Sequence, residues 1–506
     1  MKKRCSLLLL VGILLLSLIA CGNQTPEIEN PSVTVDTTES QTDTESIPSS
    51  DDTNGPIGTG IGINPGRVTW AFNKNAFNWN GTGYWWLEKN FDTTAVKQML
   101  VDTICQLAGE KNINKAMDAL FKDFNERKTG ESKGYTAGEK IVIKLNMNVT
   151  GNGDASNKHI GGYYPAPVTM RALLEILVDA GVAPSDITLT DPSRNFPTYV
   201  EEMLSEGKLN GVRFAGYRSG LDKADTTKQI IWSRDFEADN WPDYNGYDTT
   251  SPSFWPECVT EATYMINLFN LRGHTLAGFT ASAKNHFGTV MPAHEVAEGK
   301  YEFPLEFRTN PPSYSGLHHY VSALPFYMEP VQLWDLPARE MGTYSVLVDL
   351  SSNADAGGKT FLYLCDALAA TVHQGSSLAN IEKWISEPFG DGTKNNAAWT
   401  NSIFASQDPV AIDSVMLDFL LAERDAASAV GVTKWDAVLP EGNTAENSLI
   451  EAALADNPPS GTIYQDGYGN PVGSLGVHEH WNNATDKQYS RNLGKEEGIE
   501  LIRIDY

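Results

Sequence analysis

Cations are scarce in this sequence. Its 506 residues carry 38 Lys and Arg against 64 Asp and Glu, a formal charge of −26. A chain this acidic is not expected to bind nucleic acid, which needs clustered Lys and Arg to displace counterions. Cysteine is scarce too. Beyond Cys5 and Cys21 there are only Cys105, Cys258 and Cys365, far apart and without C-x-x-C spacing. An iron–sulfur cluster or cysteine-built zinc site is therefore not expected, while one disulfide among the three stays open. No solenoid-length repeat stands out. Long apolar runs are missing except for Leu7 to Ile19, interrupted only by Gly12 and Ser17. That run falls short of the about 20 residues a membrane span needs.

What is present at the N-terminus is a leader. Lys2, Lys3 and Arg4 form a basic start, the apolar run follows, and Leu18-Ile19-Ala20-Cys21-Gly22 closes it. Small or apolar residues directly before a cysteine suit lipoprotein processing, so residues 1–20 are read as a signal peptide and Cys21 as the lipid attachment site. Acyl chains contribute about 0.8 kcal/mol per buried methylene, enough in combination to anchor the chain. No twin arginine precedes the run, so export in the unfolded state is expected. Residues 21–64 read as an acidic tether, rich in Ser, Thr, Asp, Glu and Pro, which cannot bury enough surface to offset its ordering entropy. The expected place is the cell membrane or cell surface, outside the cytoplasm.

Residues 65–506 form the body, long enough for one large domain or two lobes. Its pattern is α/β, with a mostly parallel sheet and flanking helices. Strands are expected at Val68–Phe72, Ile141–Asn148, Asp186–Asp191, Thr263–Leu268, Tyr344–Leu350, Phe361–Cys365 and Ile499–Ile504. Helices are expected at Thr94–Ala108, Ile113–Phe124, Val168–Ala180, Asp366–Thr371 and Val410–Ala422. Pro167 suits the first turn of its helix and Gly181 stops it. The strand–helix–strand unit from 141 to 191 implies neighbouring parallel strands.

Open parallel sheets bind ligands beyond the carboxyl ends of their strands. Lys144, Asn146, Asn148, Asp191 with Arg194, and Asp366 fall at such ends. The densest constellation is Asn267 to Gly288, which places Arg272, His274, Lys284, Asn285 and His286 among the small residues Gly278, Ala281, Ser282 and Ala283. Lys beside imidazole in a partly dry pocket can titrate near neutral pH and act as acid, base or anion clamp. His274, Lys284, Asn285, His286 and Asp191 are the catalytic candidates. Lys144, Asn146, Asn148, Arg272 and Asp408 are the ligand-binding ones. Asp408, before Pro409, also suits a helix cap.

These residues carry a resemblance. Gly138 to Asn146, Asn267 to Gly288 and Ala405-Ser406-Gln407-Asp408-Pro409-Val410-Ala411-Ile412-Asp413 resemble the family called domain of unknown function 362, over most of the body. Many of its members carry ferredoxin-like cysteine arrays, which this chain lacks, so electron transfer is not implied. More distantly, His274, Ala277-Gly278-Phe279 and Lys284 are similar to a His…Ala-Gly-Phe…Lys segment of nickel-pincer lactate racemases. That resemblance implies an acid/base role for His274 and cofactor attachment at Lys284. The nickel-pincer nucleotide itself is not expected. It is made inside the cell, and neither His286 nor His294 stands at the spacing of the family's downstream nickel ligand. The cofactor is left open.

Val477-His478-Glu479-His480-Trp481 forms a second cluster. His-x-His on a strand turns both imidazoles to one face, a metal-site spacing that still needs a third ligand. Trp481 could stack on a sugar, as could Trp79, Tyr84, Trp85 and Trp86. Two functions remain: an extracytoplasmic enzyme using His/Lys acid–base chemistry on a small polar or carbohydrate-like substrate, or a surface protein that captures a solute or glycan without turnover.

Overall fold

Ile141–Leu145 and Ile187–Asp191 are buried along their whole length, not on alternate residues. Such strands need cover on both faces, which parallel sheets obtain from crossover helices. The computed structural model describes residues 55–147, 163–192, 194–216, 223–234, 252–303, 317, 320–321, 323, 339–372 and 381–506. Cys21 and Asn148 lie outside the described residues, as do most of the expected tether and the whole expected signal peptide.

The strands of the main sheet are β1 Arg67–Phe72, β2 Ile141–Leu145, β3 Ile187–Asp191, β4 Arg213–Gly216, β5 Tyr264–His274, β6 Gly278–Thr280, β7 Thr360–Thr371, β8 Ser402–Ser406 and β9 Glu500–Asp505. They lie in the order β9-β1-β8-β7-β5-β2-β3-β4, with β6 folded back on β5. β7, β5, β2, β3 and β4 run parallel, as do β9 and β1. Along this path only β8 runs against its neighbours. The fold is thus α/β with a mostly parallel sheet, and residues 48–506 cluster as one unit.

Helices α1 Thr93–Ala108, α2 Ile113–Thr129 and α3 Pro167–Asp179 contribute to the core on one face. Ile141, Ile143 and Leu145 belong to that core, while Val142 belongs to the core on the opposite face. Strand alternation therefore turns Lys144 towards the second face. That face is covered by α4 Ser282–His286, α5 Val346–Ser352, α6 Pro409–Ala429 and α7 Asn447–Ala453. Local chemistry sets several ends. Asp92 caps α1 at Ala95 N, 2.9 Å away, and Gly109 closes it at φ 71°, a conformation that glycine adopts without steric cost.

Two expected elements change type. Tyr344–Leu350 was expected as a strand, but Val346–Ser352 is helical, because an apolar run buried all round reads alike as strand or helix. Asp366–Thr371 was expected as a helix, but it prolongs β7. Pairing of Asp366 with Asn270, and of Thr371 with Arg272, overrides the helix preference of its alanines. The last residues of the expected tether are pinned to the body. Ile57–Gly58 pairs with Val477–His478, and Ile61 N and Ile63 N donate to Asp408 and Gln407. No helix among the described residues is long and apolar enough to cross a membrane.

Candidate functional site

Three strand ends bring polar groups together. Lys144 is the penultimate residue of β2, Asp191 the last of β3, and Arg272 lies two residues before the end of β5. All three are buried. Lys144 Nζ stands 3.7 Å from Asp191 Oδ1, and Asp191 Oδ2 accepts from Met147 N at 2.8 Å. Gly288 makes room for this pair. A Cβ there would sit 2.9 Å from Lys144 Nζ and 3.2 Å from Asp191 Oδ1. Arg272 donates to Asn146 Oδ1 at 2.7 Å and to the Tyr163 carbonyl at 3.4 Å, while its buried Nε has no partner among the described residues.

Lys284 belongs to the same electrostatic cluster. Desolvation first, then the like charges of Arg272, Lys144 and Arg194, push its ammonium down to about 7. Burial likewise pushes Arg272 down, to about 10. Lys284 retains some surface exposure and lies over the Phe287 ring, 4.0 Å from its centroid. Among the described residues it has no carboxylate partner. It lines a cavity with Ala277, Phe279, Tyr320, Ala445 and Asn447. Lys144, Arg194 and Arg272 thus each repel Lys284, while Asp191 attracts Arg272 and stands beside Lys144, inside a strongly acidic chain. Such an arrangement favours an anion, and Arg suits a carboxylate or phosphate in bidentate fashion.

α4 holds Lys284, Asn285 and His286 in place. Asp413, on α6, accepts from Ser282 N at 2.8 Å and Ala283 N at 3.0 Å, satisfying the free donors of the helix start. Asn285 Oδ1 accepts from Lys144 Nζ at 3.0 Å, and its amide donates to Asn267 Oδ1 at 2.7 Å. Asn267 in turn donates to His286 Nε2 at 3.0 Å. Burial, and then Lys144, push His286 down to about 3, so the ring is neutral and fully enclosed. Asn285 and His286 thus orient Lys144 and α4. His274 accepts at Nδ1 from Leu276 N and Ala277 N, both at 3.1 Å. In the neutral ring this places the proton on Nε2, making His274 a donor there.

Asp408 does other work. It caps α6 through Val410 N and Ala411 N, and its second oxygen accepts from Ile61 N and Val477 N. Asp366 similarly accepts from Ala166 N and Leu368 N. The paired acids in Asp408-Pro409-Val410-Ala411-Ile412-Asp413 are thereby explained: the first caps its own helix and the second caps α4.

His478 and His480 converge on Glu446. His478 Nε2 and His480 Nε2 lie 2.7 Å and 2.5 Å from the same Glu446 Oε1. Composition gives no hint of Glu446, which is missed by sequence reasoning, as are Asp413 and Asp418. The only signal for the two aspartates is an acid on the buried side of an apolar helix. Trp79, Trp85, Trp86 and Trp481 are buried among other rings, so they offer no open stacking platform. Cys105 and Cys365 are buried and form no disulfide.

The family model called domain of unknown function (DUF362) matches residues 141–418, more than half of the chain. The chain belongs to the DUF362 family. Lys144, Asp191, Arg272, Lys284 and Asp413 fall inside the matched range, whereas Glu446, His478 and His480 lie beyond it. No curated protein matches the chain. Among solved structures, the lactate racemase apoprotein from Thermoanaerobacterium thermosaccharolyticum is similar at 8% identity and a TM-score of 0.31. The match covers 73% of this chain and 63% of that protein, and a likeness this distant carries no argument about chemistry.

Proposed function

We propose that this DUF362 chain is a lipid-anchored extracytoplasmic protein whose pocket binds a small acidic polar molecule, such as a sugar acid, and moves a proton through Lys284. One observation carries the pocket reading: Lys144, Arg194 and Arg272 lie near enough to Lys284 to repel its ammonium, and Lys284 lines a cavity. A bound anion offsets the mutual repulsion of these cations. With an ammonium held down to about 7, Lys284 exists as both acid and base near neutral pH, which suits proton transfer. Asp191 stands 3.7 Å from Lys144 and fixes it. Membrane attachment rests on the basic start, the apolar run and Ala20-Cys21-Gly22.

Calorimetric titration with sugar acids, hydroxy acids and their neutral amide or alcohol counterparts tests this. Acids should bind and neutral counterparts should not, and Lys284→Met should weaken binding without lowering the melting temperature. Equal affinity for acids and neutral counterparts would remove the proposal. Turnover separates an enzyme from a capture protein: His274→Gln should reduce an enzyme's rate more than its affinity.

A further inference from the structure

We propose that Glu446, His478 and His480 bind a divalent transition-metal ion of the zinc type, with water completing the coordination. One ring nitrogen of each histidine and a Glu446 carboxylate oxygen lie within 4.8 Å of one another. In a tetrahedral zinc site with bonds of about 2.0–2.1 Å, ligating atoms stand roughly 3.3 Å apart. The present spacings of 2.7 Å and 2.5 Å to Glu446 Oε1 need to widen by less than about 1 Å. Two imidazoles and one carboxylate form a known donor set for zinc that leaves a position for water.

The surroundings argue for an ion as strongly as the three ligands do. His480 Nδ1 lies 2.5 Å from Asp418 Oδ1, and His478 Nδ1 lies 2.8 Å from Ser414 Oγ. Ser414 donates its own proton to the Val410 carbonyl, so its oxygen is left to accept from His478. Each ring thus has an acceptor behind Nδ1, which fixes its orientation and directs the Nε2 lone pair at the shared centre when the ring is neutral. Asp418 is held in turn by Trp481 N and the Tyr489 hydroxyl. The side chains of Glu446 and His480 are each 33% exposed, so an ion and its water have a way in. The site joins α6, the start of α7 and the C-terminal His-x-His segment. Ala445 and Asn447, on either side of Glu446, line the cavity that holds Lys284, so the ion would also steady that wall.

The test uses the full folded chain, stripped with a chelator and titrated calorimetrically with Zn²⁺. One ion per chain is expected, at micromolar or tighter affinity and unaffected by excess Mg²⁺. Glu446→Gln and His480→Gln should each weaken it by at least about 100-fold. Should either variant unfold, the wild-type Co²⁺ complex decides. Intense visible bands of four- or five-coordinate cobalt support the site, whereas the weak spectrum of the hydrated ion overturns it. No Zn²⁺ uptake by the folded wild type would reduce the cluster to an imidazolium–carboxylate ion pair. Unchanged affinity in both variants would place the ion elsewhere. Either result overturns the proposal.

Discussion

Anion binding at Lys284 should draw in a proton, and the amount follows from the structure. Desolvation and three neighbouring cations push its ammonium down to about 7. At pH 8, one unit above that value, roughly nine in ten molecules hold the neutral amine. A bound carboxylate supplies the missing opposite charge and returns the ammonium towards its ordinary range. Binding at pH 8 should then take up about 0.9 proton, and at pH 6 only about 0.1. Affinity should fall about tenfold, or roughly 1.4 kcal/mol, for each pH unit above 7. Calorimetry in buffers of different ionisation enthalpy reads this uptake directly. Lys284→Met should lose the pH-dependent part. Uptake below about 0.2 proton at pH 8, or full uptake retained by Lys284→Met, refutes the reasoning. The sign for stability is opposite to that of an ordinary ion pair. Between pH about 7 and 10.5 the folded, ligand-free chain binds fewer protons at Lys284 than the unfolded one. This residue's contribution to stability therefore rises with pH across that window and is lowest below pH 7.

Gly288→Ala puts a methyl group 2.9 Å from Lys144 Nζ, so acid affinity should drop about tenfold, well beyond any loss of stability, in paired calorimetric and thermal measurements. Asp408→Ala strips four backbone N–H groups of their acceptor and should cost about 2–4 kcal/mol in urea unfolding; a loss under 0.5 kcal/mol would deny its role as a staple. Cys21→Ser should release the protein from membranes without changing the body's melting temperature, and retention after carbonate washing would contradict lipid anchoring.

The parallel sheet was legible because its strands are short apolar runs separated by helix-period segments and closed by Gly or Pro signals. Ile141–Leu145, Pro167–Asp179 and Ile187–Asp191 follow that logic closely. Where burial is complete, period carries no information, and Val346–Ser352 was misassigned for that reason. The charge cluster was legible in part, since Lys144, Asp191, Arg272 and Lys284 could be named from strand ends and local density. Their mutual influence could not be read, because it depends on strands 141 to 145 and 264 to 274 lying side by side. Residues that act through packing stayed hidden. Asp413 looks like any helix acid until α4 is seen seated on it. Glu446 lies more than thirty residues before His478, and only the fold brings the two together.

The central claim is that an anion sits among Lys284, Arg272 and Lys144. A crystal soaked with a selenium oxyanion tests it most directly, because anomalous scattering locates selenium without reference to the protein. The account predicts a peak within hydrogen-bond reach of Lys284 Nζ and the Arg272 guanidinium, absent in Lys284→Met crystals. Selenium bound only at surface lysines, with nothing beside Arg272, would contradict it.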